Sequence, residues 1–134
     1  MIWLIYIYIL YIRSILEQSC TLWHSSLTRE NSKDLERIQK NALRNILQEK
    51  YINYETALGI LKLETLENRR KKLLLKYGKK CTKLEQTKHL FPLKDSEHIM
   101  NTRSNNKYKE TKCNTERYRK SSVPYIQRLL NTEN

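Results

Sequence analysis

The stretch Asp34-Leu-Glu-Arg-Ile-Gln-Lys-Asn-Ala-Leu-Arg-Asn-Ile-Leu47 decides how this chain is to be read. At roughly 100° per residue, Leu35, Ile38, Ala42 and Ile46 fall on one helical face, and Leu43 and Leu47 widen it. Lys33, Arg37, Lys40 and Arg44 fall within about 60° of one another on the opposite side. Thr28, Asn31 and Ser32 carry oxygens suited to cap the helix start, and Asp34 and Glu36 suit its positive end. One side needs a core; the other presents a row of cations. A solvated face laced by a Glu36–Lys40 pair is the commoner origin of such a row on any single helix, and the rest of the chain is what favours an anionic partner.

Composition bears on the choice. The 134 residues include 26 Lys and Arg against 14 Asp and Glu, a net charge of +12. Such an excess points to an anionic partner, nucleic acid before membrane, because the cations are spread through the polar segments. Two glycines and two prolines leave few breakers, so the fold class expected is all-α. The architecture expected is a small irregular bundle of three to four main helices with an extended basic C-terminal tail. Cys20, Cys81 and Cys113 are odd in number and widely spaced, which suits a reducing compartment rather than a disulfide framework. With His89 and His98 they lack the close ligand pairs of structural zinc sites, so no cofactor or metal is assigned. His24, His89 and His98 have no Ser, Cys or Asp at a recognisable triad spacing.

Three regions follow along the chain. Residues 1–27 hold an apolar run, Ile2 to Ile12, about half the length needed to cross a bilayer. Its Ile/Tyr alternation also suits a strand, but Ile9, Ile12, Leu16, Cys20 and Trp23 recur at helical spacing. The expectation is one helix from Leu4 to Trp23, packed on the 34–47 helix with Trp23 buried. Residues 28–88 form a basic helical core that continues with a short helix over Tyr54–Leu61 and a break at Lys62 to Glu64. Thr65 then caps a helix in which Leu66, Arg70, Leu73, Leu74, Tyr77 and Cys81 share a side. Gly78 either ends this helix or weakens it. Residues 89–134 are a polar basic tail, extended or disordered over 93–122, with a short helix starting near Pro124.

Several stretches together are similar to one known family. They are Tyr11 to Glu17 with Leu22-Trp23, Leu35 to Arg44, Tyr54 to Leu58, and Leu66 to Arg70. Leu90-Phe91-Pro92, Arg117 to Ser121, Pro124-Tyr125 and Leu129 to Asn131 complete the order. Over residues 9 to 131 the chain resembles the thumb and post-thumb end of jockey-like, non-LTR (LINE-type) retrotransposon reverse transcriptases. Gln18 and Ser19 depart from the family, which has an aromatic and a small residue there.

The resemblance implies a thumb-like module that holds a template–primer duplex or hybrid by its phosphates. Candidate contacts are Lys33, Arg37, Lys40 and Arg44, then Arg69, Arg70, Lys71 and Lys72, and in the tail Arg117, Arg119 and Lys120, ordered on binding. The family's palm carries an Ala-Asp-Asp motif that binds two Mg²⁺. Here the only aspartates are Asp34 and Asp95, neither followed by an acid, so no catalysis is expected of this chain, which has the look of a relic or truncated reading frame. Structural roles compete for Arg13, Arg69 and Arg70, because Glu17, Glu64 and Glu67 can pair with them. Tyr51, Tyr54 and Trp23 are read as core, and Tyr108 and Tyr118 as the better stacking platforms. A nuclear or cytoplasmic location follows, with no small-molecule substrate. The other readings are a fragment that docks on a polymerase palm in trans and a membrane-associated protein inserted through residues 2–12.

Overall fold

Thr28 starts the longest helix of the chain by accepting the Asn31 N–H at 3.1 Å on its hydroxyl oxygen. The computed structural model describes residues 2 to 94 and 107 to 133, which are all-α, with no strand among them. Helix α1 (Ile2–Ile7) runs through a π-helical stretch, Tyr8–Arg13, into α2 (Ser14–Glu17). Then come α3 (Cys20–Trp23), α4 (Arg29–Leu47), α5 (Tyr54–Leu61), α6 (Leu66–Cys81) and α7 (Glu85–Lys88). Two more, α8 (Glu116–Arg119) and α9 (Ser122–Thr132), close the order. None of them is long and apolar enough to cross a membrane. The described residues form two compact units. One holds the chain up to Cys20 together with Leu27–Lys71; the other holds Thr21–Ser26 and the chain from Lys72 on. The last of the boundaries between them falls inside α6.

In the first unit the core is Tyr8, Leu43, Ile46, Leu47, Ala57 and Leu58. Helix α4 therefore buries a face centred between Gln39 and Leu43, and the expectation for Ile38 is overturned: it is 44% exposed. Gln39, 1% exposed, takes the inner place because every polar atom of its side chain is satisfied there. Its Oε1 accepts the Tyr8 hydroxyl at 2.6 Å, and its Nε2 donates to the Tyr54 hydroxyl and the Glu64 carbonyl, each at 2.9 Å. Helix α5 keeps the limits read from sequence. Asn53 and Thr56 form its capping box, and Lys62 ends it at φ 52.

The single helix expected over Leu4–Trp23 does not form. Gln18 turns to ψ 126, and Ser19 adopts the left-handed region at φ 53, which breaks the helix after Glu17. The wider π-helical turn of residues 8–13 also rotates the apolar positions relative to a 3.6-residue count. Tyr8 is buried and Ile9 packs against the core, while Ile12 and Ile15 are exposed and Trp23 is only half-buried. Much of the apolar run faces outward: Trp3 is 81% exposed, and Leu4, Tyr6, Ile7, Leu10 and Tyr11 are exposed as well.

In the second unit α6 passes straight through Gly78, which is buried. A Cβ at this position would lie 2.6 Å from Cγ2 of Ile126 on α9, so the missing side chain is what permits that approach. Gly78→Ala is expected to lose about 1 kcal/mol in a denaturant melt, since overpacking outweighs the helix-propensity gain. In an Ile126→Ala background the same change should become neutral or stabilising. A gain in the native background would show that the approach is not tight.

The tail also differs from the expectation for residues 93–122, of which 95–106 lie outside the described residues. Residues 107–113 are extended but docked on α9. Gln127 accepts the Thr111 N–H and donates to the Leu90 carbonyl; Asn131 pairs with both backbone groups of Tyr108. Leu93 and Tyr108 form an isolated antiparallel bridge. Two amides one helical turn apart thus supply the hydrogen bonds that this segment's polarity withholds from a sheet or helix.

Candidate nucleic-acid interface

All four cations of the α4 row, Lys33, Arg37, Lys40 and Arg44, are exposed. From Lys33 to Arg44 the row runs about 16 Å along the helix. Arg37 donates to Asp34 at 2.8 Å, with both side chains well exposed, so the pair is weak and exchangeable for another anion. The expected Glu36–Lys40 pair is replaced by a different arrangement. Glu36 turns toward the core, where it accepts the Tyr54 hydroxyl at 2.5 Å and the Glu67 N–H at 2.8 Å. Lys40 and Arg44 then form one wall of a concavity of about 510 Å³, completed by Gln48, Tyr51, Ile52, Asn53 and Tyr54.

The second group, on α6, divides. Arg70 is withdrawn from the candidate contacts, because it is fully buried, with its guanidinium donating to the Ser32 hydroxyl at 3.2 Å. The reason was visible in the periodicity that sets Arg70 on the same side as Leu66 and Leu74. Arg69 donates to Glu17, which also faces Arg13 at 3.7 Å, and Lys71 pairs with Glu67 at 2.7 Å. Lys72 is exposed. Beyond it, Lys76, Lys79, Lys80 and Lys83 are exposed too, and with Leu75 they border a groove of about 700 Å³. Sequence reasoning passed over them as site residues. The signal was present: Lys72, Lys76, Lys79 and Lys83 repeat the spacing of Lys33, Arg37, Lys40 and Arg44.

In the tail, Arg117, Arg119 and Lys120 are exposed on and just after α8, which is capped by the Thr115 hydroxyl at 3.2 Å. Arg117 and Arg119 lie on that helix and Lys120 is its C-cap. Arg119 pairs with Glu116 at 3.3 Å. Of the two stacking candidates, Tyr118 is exposed, while Tyr108 is half-buried on Asn131 with the Lys107 ammonium 5.8 Å from its ring centre. Among the described residues no three His, Cys, Asp or Glu gather to hold a metal ion; Asp95 and His98 lie outside them.

The two tyrosines around Gln39 carry the clearest electrostatic signature. Burial pushes the Tyr8 hydroxyl up to about 12, and burial with the bond to Glu36 raises Tyr54 further. The folded chain thus keeps protons that an unfolded chain releases near pH 10. Stability is whole below pH 10 and falls as pH rises through the window up to 12. Urea midpoints should therefore drop between pH 9 and pH 11; equal midpoints would mean that both hydroxyls reach water. No protein-family model, curated protein or solved structure matches this chain.

Proposed function

We propose that this chain is a non-catalytic, thumb-like remnant of a non-LTR retrotransposon reverse transcriptase, and that it binds a template–primer duplex or hybrid by its phosphates. The observation that carries the reading is the exposed, evenly spaced cation row of α4. Four cations over about 16 Å match about five steps of a duplex strand at 3.4 Å each. Such contacts fix position without reading bases. The module needs no cofactor and works where nucleic acid is, in nucleus or cytoplasm. In the second unit, Lys72 and the exposed cations of α8 are separate candidates for phosphate contact. Titration of labelled duplexes of unrelated sequence at increasing salt tests it. Equal affinity across sequences with a steep salt dependence is the expected result.

A second reading has its own observation. The outward apolar face at Trp3, Leu4, Tyr6, Ile7, Leu10 and Tyr11 exceeds what a solvated helix carries. It favours docking on a polymerase palm in trans, with insertion of residues 2–12 in a membrane as the lesser alternative. Partition between membrane and soluble fractions separates these two.

A further inference from the structure

The concavity at the end of the α4 row has a chemistry that a duplex backbone leaves unused. One wall is cationic, from Lys40 and Arg44. Its apolar part is Ile52, 79% exposed, beside the half-buried ring of Tyr51. Two amides border it. Asn53 Oδ1 is taken by the Thr56 N–H at 2.8 Å, which leaves the Asn53 amide donors for another acceptor. Gln48 sits at φ 47 and ψ −114, a conformation that L side chains rarely adopt, and it is held there at the very point where α4 ends. The strain sets the turn that brings residues 51–53 back beside Lys40 and Arg44.

We infer that this concavity takes one unpaired nucleotide adjoining the duplex that the α4 row holds. In a duplex the base faces are covered by their neighbours, so an apolar surface beside a phosphate-binding row meets a base face only where that base has left the stack. The base lies against Ile52 and Tyr51, its edge meets the Gln48 and Asn53 amides, and its phosphate meets Lys40 and Arg44. This inference rests on the duplex-binding reading above, and the test keeps the two apart.

Three duplexes of one sequence serve as probes of the full chain at low salt: blunt, with a single unpaired 3′ nucleotide, and with an abasic residue in its place. The expected result is about tenfold tighter binding of the unpaired nucleotide, with the abasic probe near the blunt one. Ile52→Ser, a change at an exposed position, should abolish the difference while blunt binding persists. Gln48→Gly, which relieves the backbone strain, should reduce it and guards against misfolding of the first variant. Equal binding of blunt and overhanging probes overturns the inference and leaves the duplex reading standing. So does an abasic probe that binds as tightly as the intact one, because added charge would then explain the gain. No binding of any probe overturns both.

Discussion

Gln39→Ala is expected to cost about 3 kcal/mol of folding stability, whereas Ile38→Ala one position earlier costs about 1 kcal/mol or less. The polar residue is the buried one. Removing its side chain takes the acceptor from the Tyr8 hydroxyl, itself 1% exposed, and the donor from Tyr54 and from the Glu64 carbonyl. A buried polar group left unsatisfied costs about 1–3 kcal/mol, and the lost volume adds a cavity term. Ile38 keeps nearly half its surface in water, so truncation there forfeits little. Urea melts of both variants decide the matter. A larger loss at Ile38 would restore the face drawn from apolar spacing alone. A double substitution sharpens the test: Tyr8→Phe in a Gln39→Leu background removes both partners, and should recover part of the loss seen with Gln39→Leu alone.

That contrast marks where local pattern stops informing. The all-α class, the limits of α5 and the break after it follow from composition, periodicity and caps, which act within a few residues. The Gln39 network does not. Its partners stand 31, 15 and 25 residues away, and nothing near Gln39 announces them. A count of apolar positions therefore centres the α4 face too far toward Ile38, on the wrong side of Gln39. The same limit applies to Gly78, whose role depends on Ile126, and to Gln127 and Asn131, which order a segment too polar to order itself. The break at Gln18-Ser19 turns on a left-handed Ser19, a residue type with no preference for positive φ.

The candidate interface was legible in its cations and less so in their availability. Lys33, Arg37, Lys40 and Arg44 needed only helical geometry, and all are exposed. For Arg69 and Lys71 the deciding facts are the positions of Glu17 and Glu67. The Lys71 partner is local at i,i+4, while the Arg69 partner is 52 residues distant. The concavity beside Lys40 and Arg44 depends on the turn at Gln48, a residue type with no preference for positive φ. Sequence holds no trace of it.

Charge reversal of Arg37 and Arg44 to Glu is expected to lower affinity for every duplex alike, by tenfold or more at low salt. If four α4 cations each meet a phosphate, log K falls against log salt with a slope near −3.6. A rise from about 50 to 200 mM salt then weakens native binding on the order of a hundredfold. The double variant removes two contacts and should flatten that slope by about two units or less. Helix content should hardly change, since both side chains lie away from the core and surface charge pairs on a helix are worth a few tenths of a kcal/mol. Arg44 also sits in the last turn of α4, where a cation suits the helix dipole and a carboxylate does not. The Arg37→Gln, Arg44→Gln double variant therefore serves as the control: it should flatten the slope equally without the repulsion. Absence of binding at low salt, or binding undiminished at about 0.5 M, would favour the protein-docking reading instead, because phosphate contacts cannot escape counterion competition.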